Sequence, residues 1–262
     1  MPVFALIAGA SGYYLRLLEL WDVFDTRTGL PVRGAGITYA LIAVSFGFLG
    51  LILAFSLRTR LKYTSPKGFD NAFGTDPLAY PFIFLLVGLV WFAASVKHFI
   101  DLYTLETVPM QEVYFSALSA LSAISTSFFA IEVYQNPHRK TKLALSLVPT
   151  VFMCFWLILL YRKNAANPIL LSYCYQCLAI IFTALSFYFT SGFVFSRPAP
   201  SKAAFAYFAA IFFCFVTLAD NHTIYIKMIF MSFIVINVVH SSMLIRNLQR
   251  KEVIKATSTD TR

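Results

Sequence analysis

GAGITYALIAVSFGFLGLILAFSL, residues 34–57, runs for 24 residues without Asp, Glu, Lys or Arg; Arg33 precedes it, and Arg58, Arg60 and Lys62 follow. Crossing the hydrocarbon core takes about 20 apolar helical residues at roughly 1.5 Å each, so this stretch is long enough. Seven further runs free of those four residue types flank it: Met1–Leu15, Pro77–Val96, Val113–Ile131, Leu143–Tyr161, Asn164–Ser196, Ala203–Ala219 and Met228–Ile245. The first reaches full length if its helix continues through Arg16 and Glu19 to about Trp21. In the long run Asn164–Ser196, Asn167-Pro168 marks a start and Ser191-Gly192 an end, because Pro and Gly punctuate helices. Asp220-Asn221-His222 leaves just enough chain for a tight hairpin between the last two runs. The spacing predicts an all-α integral membrane bundle of eight transmembrane helices, or seven if the first lies in the interface.

Composition agrees. Of 262 residues, 59% are hydrophobic, 17% aromatic and 13% charged, with a mean hydropathy of +0.72. Soluble domains carry about 25% charged residues, so the apolar excess must face lipid, which rules out disorder and a soluble enzyme fold. The longest connection, Arg58 to Asp76, is too short for a separate domain, since domains start near about 50 residues. No phosphate-binding G-x-x-x-x-G-K-[ST] loop is present, and the halves show no internal repeat. Residues 1–245 are read as one polytopic domain, and 246–262 as a basic, disordered cytoplasmic tail. No Lys or Arg precedes the apolar run Val3–Ala10, so the first helix is expected to be retained rather than cleaved as a signal peptide.

Orientation follows from the basic residues. The loops after the second, fourth and sixth helices and the tail hold Arg58, Arg60, Lys62, Lys67, Arg139, Lys140, Lys142, Arg197, Lys202, Arg246, Arg250, Lys251, Lys255 and Arg262. The opposite loops hold Arg27, Arg33, Arg162 and Lys163. This imbalance predicts that both termini are cytoplasmic. It also accounts for the +9 net charge without nucleic acid: the basic residues hold the topology and face anionic lipid. The bilayer is the first partner, and the basic inner loops and tail suit a cytoplasmic or membrane protein partner.

Residues 19–31, ELWDVFDTRTGLP, resemble a segment near the N-terminus of a family of multi-spanning bacterial membrane proteins that has no assigned activity. The resemblance covers about the first two helices and their loop. It implies a bacterial inner-membrane location and no particular chemistry.

Ionisable groups inside membrane helices are costly and point to function. With the predicted topology, most fall in the outer half: Arg16, Glu19, Lys97, His98, Asp101, Asp220, His222 and Lys227, with Asp22, Asp25, Glu106 and Glu112 beyond them. Arg16 and Glu19 are three apart and Lys97 and Asp101 four apart, spacings that pair side chains on a helix. The expectation is a polar cluster lining an outward-open vestibule. Lys227, which follows the apolar turn Ile224-Tyr225-Ile226, stands at its heart with Asp101 or Asp220 within ion-pair reach. Read singly, each of these residues is an ordinary helix end whose side chain reaches the headgroups.

Other chemistry is thinner. Cys174-Tyr175-Gln176-Cys177 lacks the second dithiol that electron relay requires and reads as structural. His98, His138, His222 and His240 do not offer two imidazoles facing each other across a haem-sized space, and Lys227 sits too near its helix start for a mid-membrane Schiff base. Glu19, Asp22, Asp25 and Asp101 lack calcium-loop spacing. No cofactor, metal site or catalytic motif is implied. The leading expectation is a transporter, or the membrane subunit of one, for a small polar or charged solute. A sensor or scaffold without transport comes second, and an intramembrane redox or haem-binding subunit third.

Overall fold

The computed structural model describes residues 1–23, 36–64, 69–74, 78–104, 108–135, 141–166, 169, 171 and 173–250. Its helices are α1 (Pro2–Asp22), α2 (Gly36–Lys62), α3 (Phe69–Phe73), α4 (Ala79–Leu102), α5 (Met110–Gln135), α6 (Thr141–Asn164), α7 (Cys174–Val194), α8 (Pro200–Leu218) and α9 (Ile224–Arg246); the short strands β1 (Tyr63–Thr64) and β2 (Gln249–Arg250) pair antiparallel. Eight of these helices, all but α3, are long and apolar enough to cross a membrane. The protein is an all-α, multi-pass membrane bundle.

Helices α4, α5, α6, α7, α8 and α9 pack in order into a closed ring, with α9 returning to α4. Helices α1 and α2 lie outside it against α8. Within its most apolar window α8 is 78% buried, against 28% for α1 and for α2, so α8 is the hub and α2 turns most of its surface to lipid. Leu51, Leu53, Leu57 and Phe46 of α2 are exposed accordingly.

Helix α1 is long and apolar enough to cross a membrane and packs along α8. Its buried stripe is Ala5, Gly9, Gly12, Arg16 and Glu19, the alternating four-and-three spacing of one helix face. A Cβ at Gly9 would lie 2.7 Å from Cδ2 of Phe215, and one at Gly12 would lie 2.8 Å from Cγ2 of Val216. Only a bare glycine face lets α1 approach this closely, as small residues do between membrane helices. Arg16 and Glu19 continue that stripe and are drawn inward with it.

Inside the ring the middle of the bundle is filled by aromatic rings. Trp91 of α4 meets Phe152 of α6 at 5.9 Å and Phe233 of α9 at 5.0 Å between centroids, and Trp156 meets Phe115 and Phe230 at 5.2 Å each. The Trp91 indole N–H donates to Ser119 Oγ at 2.9 Å. Pro149 interrupts α6 and has no N–H for the carbonyl of Leu145. Ser125 of α5 supplies the missing donor, its Oγ lying 2.7 Å from that carbonyl oxygen.

Three boundaries differ from the sequence reading. Helix α7 begins at Cys174, well after Asn167-Pro168, and runs through Ser191-Gly192 to Val194. It ends where Ser196 takes a left-handed φ of 57°. There Arg197 N–H bonds the Gly192 carbonyl at 2.8 Å and Ser196 N–H the Phe193 carbonyl at 3.1 Å, a Schellman-type stop that Gly usually provides. The segment expected to be a tail starts folded: β2 pairs with β1, and Asn247 Nδ2 donates to the carbonyls of Ala72 and Gly74 at 3.1 Å each. Residues 251–262 lie outside the described residues.

Candidate functional site

The ends of α1, α4, α6 and α8 and the starts of α5, α7 and α9 meet at one end of the bundle, as the alternating chain direction requires. Three of the polar residues singled out in the sequence converge there. Arg16 donates from Nε to Oδ1 of Asp220 at 2.7 Å, from Nη1 to Oε2 of Glu19 at 2.6 Å, and from Nη2 to the Leu171 carbonyl at 3.1 Å. Its guanidinium lies 5.0 Å from the ring centroid of Tyr175. The Arg16 and Glu19 side chains are 1% and 0% exposed, so this is a buried cluster. One cation faces two carboxylates.

His222, in the turn between α8 and α9, joins the cluster to the space beside it. Its Nε2 lies 3.8 Å from Oδ2 of Asp220, and neither atom has a hydrogen-bond partner among the described residues. Burial, followed by the positive charges of Lys227, Arg16 and Lys163, pushes the His222 pKa down to about 4, so the ring is neutral at pH 7. Burial raises the Asp220 pKa, against the pull of Arg16.

His222 also lines a cavity of about 430 Å³ between α5, α6, α7 and α9, a volume within the usual range for small-molecule sites. Glu112, Arg162, Lys163, Asn164 and Gln176 contribute its polar groups, and Trp156, Tyr173 and Tyr225 its aromatic ones. His98 stands behind the wall: its ring lies 4.2 Å from that of Tyr225, its Nε2 is 3.5 Å from Glu112 Oε2, and its Nδ1 is 2.6 Å from Ser116 Oγ. The floor is the aromatic layer, since Trp156 and Phe115 belong to both.

The remaining residues fall elsewhere. Lys97 and Asp101 pair at 2.7 Å on the outside of α4, 52% and 42% exposed, away from the 430 Å³ cavity. Lys227, expected at the heart of the vestibule, is half-buried and forms no ion pair within 4 Å among the described residues. Arg16 takes Asp220 and Lys97 takes Asp101 instead. Asp25 and Glu106 lie outside the described residues.

No protein-family model, curated protein or solved structure matches the chain. Of the stretch 19–31 that carried the sequence resemblance, residues 19–23 end α1 and residues 24–31 lie outside the described residues.

Sequence reasoning missed most of the cavity wall. Arg162, Lys163 and Asn164 were read as loop residues, yet two adjacent basic residues on the side otherwise poor in them were a usable signal. Gln176 was hidden inside the C-x-x-C motif. Tyr173, Tyr225 and Trp156 look like interfacial aromatics until the ring closes around them.

Proposed function

We propose that this chain binds a small zwitterionic or anionic solute in the 430 Å³ cavity and is a transporter, or the membrane subunit of one. The observation that carries the reading is the mixed lining. Arg162 and Lys163 offer donors to a carboxylate or phosphate, Glu112 faces an ammonium, and Trp156 and Tyr225 cover an apolar part. With both termini in the cytoplasm, as the basic loops argue, the cavity opens outward. The resemblance at residues 19–31 supports a bacterial cytoplasmic membrane. The aromatic layer below the cavity closes the path inward, so passage requires Trp91, Trp156 and Phe233 to part. That same closure favours a second reading, an external-solute sensor in which the layer stays shut.

Trp156 lines the cavity, whereas Trp91 is fully buried and Trp21 is exposed, which gives the test its signal. The purified chain is titrated with a panel of amino acids and small carboxylates while tryptophan emission is recorded. A saturable change is expected for at least one compound, absent in Trp156→Phe and shifted tenfold or more to weaker binding in Arg162→Gln/Lys163→Gln. No saturable response from the folded chain across the panel counts against a solute site. A compound that binds but does not accumulate in proteoliposomes favours the sensor.

A further inference from the structure

Helices α2 and α7 both pack near α8 and leave a groove on its lipid-facing side. It encloses about 550 Å³ and is walled by Leu53, Leu57, Leu185, Phe189 and Phe205. At its mouth stand Arg60, on the last turn of α2, and Lys202, on the first turn of α8. We propose that this groove is a binding site for one anionic phospholipid, its phosphate held between Arg60 and Lys202 and its acyl chains lying along the apolar wall.

Position and charge carry the assignment. The groove runs along membrane-spanning segments, where acyl chains are the abundant apolar occupant, and its two charged side chains sit only at the end, at headgroup level. Two cations at the mouth of an apolar slot complement a phosphodiester and repel another cation; basic pockets between transmembrane helices bind anionic headgroups in this manner. The start of α8 adds the positive end of a helix dipole. The two serine hydroxyls in the wall are already committed: Ser56 Oγ donates to the Ser201 carbonyl at 2.8 Å and Ser201 Oγ to the Ser56 carbonyl at 2.7 Å. These bonds fix α2 against α8, and Arg60 and Lys202 are the charged side chains that line the groove. The site lies at the opposite end of the bundle from the solute cavity and does not depend on that reading.

The full chain, purified in detergent, is offered equimolar phosphatidylglycerol and phosphatidylcholine with the same acyl chains, and retained lipid is counted by native mass spectrometry. One phosphatidylglycerol per chain is expected, preferred at least tenfold, and inorganic phosphate should not displace it. Arg60→Gln/Lys202→Gln should lose the preference and Arg60→Lys/Lys202→Arg keep it. Arg58→Gln/Lys62→Gln, which removes two charges from the same end outside the groove, should also keep it. The proposal is overturned if wild type shows no preference or buries the groove against a second copy of the chain. It is equally overturned if free phosphate competes as well as lipid, or if both glutamine pairs weaken retention equally, which is diffuse attraction to the basic end.

Discussion

Arg16 is the residue on which the polar end of the bundle turns. Its replacement by Gln strands Glu19 and Asp220, two buried carboxylates, and breaking a buried pair from one side costs roughly 3–5 kcal/mol. Arg16→Gln should therefore lower the thermal unfolding midpoint sharply in detergent, and Arg16→Gln/Glu19→Gln/Asp220→Asn should recover part of the loss. Lys227→Gln, which breaks no ion pair among the described residues, should cost far less, about 0.5 kcal/mol. His222 adds a pH term. With a folded pKa of about 4, below the ordinary 6.5, the neutral ring contributes stability that is complete above pH 6.5 and is lost as pH falls toward 4. Holding the ring neutral contributes about 3 kcal/mol across this window. Asp220, raised by burial, acts with the opposite sign, gaining stability as it protonates, so the difference between wild type and His222→Asn is the quantity to follow. That difference should shrink on acidification through this window; a flat difference would mean that His222 is not held neutral by the fold. The sequence placed Arg16, Asp220 and Lys227 at one depth but not on one azimuth. The azimuth was nonetheless written in α1, where Arg16 continues the glycine stripe, whereas Lys227 has small residues on neither side to bring a partner close.

Element by element, the helices hold together through close backbone approach and borrowed hydrogen bonds. Gly12→Val would force a side chain into Phe212 and Val216, while a Cβ at Gly47 of α2 meets nothing within 4 Å. Gly12→Val should destabilise the chain and loosen α1, exposing it to proteolysis, and Gly47→Val should be tolerated; equal behaviour of the two would remove the close-approach argument. Ser125→Ala orphans the Leu145 carbonyl above Pro149 and should cost about 1–2 kcal/mol, the usual range for a polar bond between membrane helices. Ser122 bonds the Leu118 carbonyl of its own helix, which already has an intrahelical partner, so Ser122→Ala should be close to silent. The eight apolar runs were readable because length and charge alone define them. The start of α7 was not: Asn167-Pro168 reads as a helix start, but the following residues Ile169–Tyr173 are as apolar as the helix, and hydropathy does not mark that α7 begins only at Cys174.

For the whole molecule, the closed ring of α4–α9 creates the solute cavity at one end, the aromatic layer in the middle and the basic, lipid-binding end opposite. None of this closure is visible in a single sequence, since ring neighbours such as α4 and α9 are distant in the chain, and cavity residues come from four helices. What the sequence does carry is an expected sidedness, from the distribution of basic residues. We propose that the cavity opens outward, and thiol labelling in intact cells tests this. In a background with Cys154, Cys174, Cys177 and Cys214 replaced by Ala, single cysteines are placed at Ala165, exposed beside the cavity-lining Asn164, and at Arg58, exposed at the opposite end. A membrane-impermeant maleimide should label Ala165→Cys from outside, and Arg58→Cys only after the membrane is opened. Labelling of Arg58→Cys from outside, with Ala165→Cys protected until lysis, would place the cavity on the cytoplasmic side instead.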